Sequence, residues 1–254
     1  RDVAPSRGLG DVYKRQDQIY SWSDANKTTP KTSAPALSET IELFRPYVEE
    51  GRNIVCFSIS NSMSSSGNVM QLAAEELNAQ DLITVIDSAN LSTGIGLLVI
   101  EAAILAQNNK TAAEISVAVE NLKPYVRASF VVDTLTYLHR GGRCSAIAAM
   151  AGGLLKLHPQ IIVEHGAMKP TKKYRGKMDS VILSYVKDME PALKHARPDR
   201  VFITHSGCEP TIINAVRSYL EGLGIFREIL ETRAGGVISS HCGPGTLGVL
   251  FIES

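Results

Sequence analysis

The sequence has no excess of charge of either sign. Lys and Arg total 26, Asp and Glu total 26, and the formal net charge is zero with a pI near 7.2. A chain this neutral lacks the basic footprint of a nucleic-acid binder, so no nucleic-acid partner is expected. It also lacks a cysteine framework. Cys56, Cys144, Cys208 and Cys242 stand far apart without CxxC spacing, which argues against a disulfide scaffold and favours a reducing, cytoplasmic setting. Long apolar runs are missing as well: the stretch 96–106 is broken by Glu101 and is too short to span a bilayer. Membrane contact is therefore expected to be transient at most. Nucleotide and nucleophile signatures are absent too, since no GxxxxGK[ST] or GxSxG occurs and TGIG at 93–96 has no third glycine. His205, Cys208, His241 and Cys242 carry zinc-ligand chemistry in H-x-x-C and H-C pairs, but strand-end histidines and core cysteines are commoner. Neither a metal nor a cofactor is expected.

What is present suits a folded α/β protein. In 254 residues, 44% are hydrophobic, enough for a sizeable core. Residues 1–16, RDVAPSRGLGDVYKRQ, show no apolar period and no capping pattern. They resemble translated sequencing-adapter read-through and are expected to be a non-native segment, with the natural chain starting near Asp17. Beyond them, an amphipathic helix with Ile41, Phe44, Tyr47 and Val48 on one side ends at Gly51. The short apolar runs NIVCFSIS and LITVIDS then read as buried parallel strands, each followed by a polar loop and a helix, and Thr111 caps a further helix. Strand, loop and helix, twice over, indicate a parallel sheet with helices on both faces. Past residue 126 the pattern changes: IIVEHGAMKPTKKYR reads as a hairpin turning at His165 and Gly166, 177–196 as a helix closed by Pro198, and SSHCGPG at 239–245 as a turn. The expected organisation is an α/β domain over 17–126 and an α+β domain over 127–254.

In an open parallel sheet, ligands sit beyond the carboxyl ends of the strands, where loops offer hydroxyls and helix N–H groups. Thr32 and Ser33, the five serines within 60–66, and the loop 88–96 occupy such places. The first two loops bring neutral donors without acid, base or metal ligand, which suits a small anion; helix capping is the ordinary alternative. His241 stands on the GPG stretch, where backbone N–H groups can converge on an anion. Arg175 ends the hairpin among Lys172, Lys173 and Lys177, and a solvated strand end is the simpler reading there. Ser64 with a distant histidine leaves a hydrolase-like dyad open. The stretch 144–157, rich in alanine and glycine, reads as a helix that either leaves a channel or packs closely.

TSAPA at 32–36, SISNSMSSSGN at 58–68, VDTLTYLHRGGR at 132–143 and HCGPGTLGVLF at 241–251, with IDSANLSTGIG and ITHSGCEP, together resemble the DegV family of bacterial fatty-acid-binding proteins. The resemblance implies a two-domain fold, a parallel-sheet α/β N-terminal domain and an α+β C-terminal domain, with one long-chain fatty acid between them. It implies a carrier rather than an enzyme: a separate fatty-acid kinase phosphorylates the presented carboxylate to an acyl phosphate, a step of phospholipid metabolism. Thr32, Ser64 and His241 match the family's carboxylate-binding residues, and Arg175 matches an arginine by the ligand entrance that helps partner recognition. The chain departs from the pattern where Ser65 and Ser66 replace Gly-Thr, where Ala34 and Ala36 replace Gln and Ser, and in lacking the family's opening strand. The competing reading is an acyl hydrolase or transferase using Ser64 and His241; a lipid-sensing regulatory module predicts the same pocket.

Overall fold

The computed structural model describes residues 9–142 and 157–254, side chains from Gln16 onward. The alanine- and glycine-rich stretch lies outside these residues, apart from Leu157. The chain divides into two compact units, one formed by Ser33–Arg127 with Val163–Ala167, the other by Arg1–Thr32, Ala128–Ile162 and Met168–Ser254.

The smaller unit holds α2 (Leu37–Glu49), β1 (Ile54–Ser58), α3 (Ser66–Glu76), β2 (Ile83–Asp87), α4 (Thr93–Gln107) and α5 (Ala112–Leu122). Strands β1 and β2 pair in parallel, from Ile54 opposite Ile83 to Ser58 opposite Asp87. Phe44, Ala73, Ala74, Ala79 and Ile83 form a core with Ile41, Val48 and Val85 packed against it, so the helix stripe read from the sequence is the buried one, with Tyr47 left exposed at its margin. Thr111 closes a capping box on α5: its hydroxyl accepts from the Glu114 N–H while the Glu114 carboxylate accepts from the Thr111 N–H.

In the larger unit, α1 (Leu9–Asn26) precedes β3 (Val126–Val131), α6 (Thr136–Gly141), β4 (His158–Glu164), β5 (Ala167–Tyr174), α7 (Met178–Asp188) and α8 (Glu190–Leu193). Then come β6 (Ala196–His205), α9 (Pro210–Gly222), β7 (Glu228–Arg233), α10 (Gly236–Cys242) and β8 (Leu247–Glu253). The strands make one six-stranded sheet in the order β5-β4-β3-β8-β6-β7. It is mixed: β6 runs parallel to β7 and antiparallel to β8. Val181, Tyr185, Val186, Ile212, Val216 and Leu220 of α7 and α9 join Val201, Ile203, Val249 and Phe251 of the sheet in one buried cluster. The β4–β5 turn is His165 and Gly166, with φ of 49° and 77°, the two positive values a tight hairpin needs.

Local expectations meet the structure at three places, and two of them are corrected. The helix expected over 177–196 is α7 and α8, and Pro198 does not close it; it lies inside β6, where the register shifts between Ala196 and Val201 and the lost N–H is tolerated. Residues 9–16, part of the segment set apart above as non-native, are helical, and Gln16 is buried with its amide donating to the Ala234 carbonyl and the Ser239 hydroxyl. The stretch 239–242, expected to be part of a turn, is the end of α10.

Candidate functional site

Helix α10 forms in a glycine- and serine-rich stretch because polar groups at both its ends find partners. Ser239 N–H donates to the Gly235 carbonyl, and the Ser240 hydroxyl donates to the Gly236 carbonyl. At the other end, the Thr246 hydroxyl donates to the Cys242 carbonyl and the Ser206 hydroxyl to the Gly243 carbonyl, which satisfies acceptors that a helix end leaves open. His241 therefore stands in the last helical turn. The N–H groups of 243, 245 and 246 go to the Ser239 carbonyl, the Ser206 carbonyl and the Ser206 hydroxyl, so they are engaged within the chain and do not converge on an anion as the GPG pattern suggested.

What His241 offers is its imidazole. Nε2 shares a 2.9 Å hydrogen bond with Thr32 Oγ1, across 209 residues of sequence. Both residues are half-buried. The pair combines a hydroxyl, able to donate and accept, with a ring nitrogen whose role follows its tautomer, an arrangement that binds a carboxylate oxygen without a permanent cation.

Ser64 belongs to the smaller unit, on the loop between β1 and α3. Within that loop the N–H groups of Met63 and Ser64 both fold back on the Ser60 carbonyl. The Ser64 hydroxyl accepts from the Ser66 N–H at 3.2 Å and shares a 2.8 Å bond with the Ser66 hydroxyl. It thus ties down the start of α3, and it remains half-buried with a proton to donate when Ser66 donates to it. None of these partners is a general base. Ser58, at the end of β1, is a residue that the loop reading passed over: its buried hydroxyl has no partner among the described residues and lies 2.9 Å from where a Cβ on Gly67 would stand. Arg175 follows the last residue of β5, is exposed and makes no ion pair among the described residues.

The four residues with zinc-ligand chemistry do other work. His205 Nδ1 accepts from the Cys208 N–H, the Cys208 thiol donates to the Thr246 carbonyl, and burial pushes the Cys208 and Cys242 thiols up to about 12. Among the described residues no group of three or more His, Cys, Asp or Glu is gathered as metal ligands, and no helix is long and apolar enough to cross a membrane.

The sequence and fold both have counterparts among known proteins. A family model described as "Uncharacterised protein, DegV family" matches residues 10–254. A DegV domain-containing protein of Clostridium perfringens is 32% identical over 227 residues, covering 88% of this chain and 77% of that protein. A solved structure described as fatty acid binding of a DegV family protein from Thermus thermophilus superposes with a TM-score of 0.85 at 26% identity, covering 94% of this chain and 84% of the other. DegV from Bacillus subtilis, described as a fatty acid binding protein, gives 0.76 at 26% identity, covering 94% and 84%.

Proposed function

The chain belongs to the DegV family, and on that footing we propose that it binds one long-chain fatty acid, its carboxylate held by Thr32, Ser64 and His241. The observation that carries the reading is the Thr32–His241 hydrogen bond, which pairs two of the three residues that the family resemblance assigns to the head group. Ser64 is the third residue of that assignment, and its hydroxyl has a proton to donate when Ser66 donates to it. Energetically, the tail supplies most of the affinity at about 0.8 kcal/mol per buried CH₂. Burying the head without donors costs several kcal/mol, and the hydroxyls and imidazole offset that cost.

The protein is a carrier without catalytic residues of its own, which presents the carboxylate to a partner fatty-acid kinase for conversion to the acyl phosphate. Arg175, exposed directly after β5, is the residue that the resemblance assigns to the ligand entrance and to recognition of that partner. A hydrolase or transferase reading needs a base on Ser64, and the partners of its hydroxyl are Ser66 atoms. Lipid extraction and mass spectrometry of purified protein test the assignment. Thr32→Ala and Ser64→Ala are each expected to lower fatty-acid occupancy, with affinity falling roughly tenfold for one lost hydrogen bond to a charged group. Unchanged occupancy in both variants would remove the assignment.

A further inference from the structure

Helices α6 and α10 meet through glycines. A Cβ placed on Gly141 would stand 2.1 Å from Nδ1 and 2.9 Å from Cε1 of His241, and one on Gly243 would stand 2.5 Å from Cδ2 of Tyr137. Gly141 in α6 and Gly243, the residue that ends α10, thus leave bare backbone where a ring from the other segment lies. The neighbouring Gly142 differs: its φ is 65°, it forms the left-handed end of α6, and a Cβ there would meet nothing within 4 Å. Gly142 therefore accounts for the stop of the helix by itself. Gly141 is helical, and inside a helix glycine is poorer than alanine, so its presence calls for another cause.

We propose that Gly141 is a positioning residue for His241, leaving the room that allows the imidazole to reach Thr32. The Tyr137 ring against Gly243 makes a second close contact between the same two segments. Tyr137 is itself anchored to α1, its hydroxyl donating to Asp24 at 3.1 Å and its ring meeting Tyr20 edge-on at 5.9 Å. A methyl group at 141 would push the ring off Thr32. The three atoms nearest that methyl would all belong to the His241 ring. The ligand-binding arm of the test rests on the head-group reading above; the ring-geometry arm does not.

The experiment uses the full chain and three variants, Gly141→Ala, Gly142→Ala and His241→Ala. Two-bond ¹H–¹⁵N spectra of the ligand-free protein resolve the imidazoles of its six histidines. Gly141→Ala is expected to shift the His241 ring signals and Gly142→Ala to leave them; unmoved His241 signals in Gly141→Ala overturn the proposal. Palmitate binding by calorimetry is expected to weaken roughly ten- to a hundredfold in Gly141→Ala. In the His241→Ala background, Gly141→Ala is expected to cost nothing further, because the ring it displaces is gone. A further loss of the same size there shows that the methyl acts through α6 and overturns the proposal. Should Gly141→Ala not fold alone, the double variant with His241→Ala is expected to fold, and its failure to do so counts equally against. If His241→Ala leaves palmitate affinity unchanged while Gly141→Ala still moves the ring signals, the head-group reading falls and the positioning role stands.

Discussion

Tyr185 holds two strands together with one hydroxyl. Fully buried on α7, it donates to the Ser129 carbonyl at 2.8 Å and accepts from the Val249 N–H at 3.1 Å, joining β3 to β8. Tyr185→Phe leaves both backbone groups unmet in an apolar core and is expected to cost about 1–3 kcal/mol in urea denaturation. Burial also pushes its phenol up to about 12 from an ordinary 10. The native state then keeps a proton that the unfolded chain has lost, so the contribution of Tyr185 is complete below pH 10 and declines as pH rises toward 12. His205 acts at the acid end. Only 6% exposed, it is held by burial below the ordinary imidazole value of 6.5, against the opposing pull of Glu231. As pH falls past 6.5, the unfolded chain takes up this proton before the native state does, and stability falls. Denaturation midpoints followed from about neutral pH down to roughly pH 5 are expected to drop less steeply in His205→Gln; an identical slope would remove His205 from this role.

Elements differ in how far they could be read in advance. The Thr111 cap and the His165–Gly166 hairpin depend on contacts within a few residues, and β1 and β2 announce themselves as short apolar runs; composition encodes both signals. Thr111→Ala is accordingly expected to lower the denaturation midpoint by an amount worth about 1 kcal/mol. Gly166→Ala is expected to cost about 1–2 kcal/mol for its left-handed backbone, and more for a Cβ set 2.6 Å from Ser60 Oγ. Helix α10 was illegible for the opposite reason. Its sequence, GVISSHC, has little helical propensity, and Gln16, Ser206 and Thr246 supply the hydrogen bonds that hold it from outside the helix. Pro198 likewise reads as a helix stop until the bulge in β6 is known. The pairing of Thr32 with His241 was suggested by family resemblance alone: no periodicity joins the two, and the space at Gly141 is a tertiary fact that the sequence disguises as one more helix-stopping glycine.

At the scale of the molecule, the two units are threaded differently. The smaller takes nearly all its residues from the single stretch Ser33–Arg127, whereas the larger gathers three stretches reaching from one end of the chain to the other. Closing such long loops slows folding. In refolding followed by pulsed hydrogen exchange, amides of β2 and α5 are expected to gain protection before those of β6 and β8; simultaneous protection would argue against stepwise assembly.

Trp22, the only tryptophan, sits on α1 at 47% exposure, on the helix that Gln16 and Tyr20 fasten to the rest of the larger unit. The chain thereby carries one indole fluorophore and no competing one. Its emission anisotropy follows the tethering of α1 without any dye, and a drop at denaturant concentrations that leave the far-ultraviolet circular dichroism intact would mark that helix as the first piece to come loose.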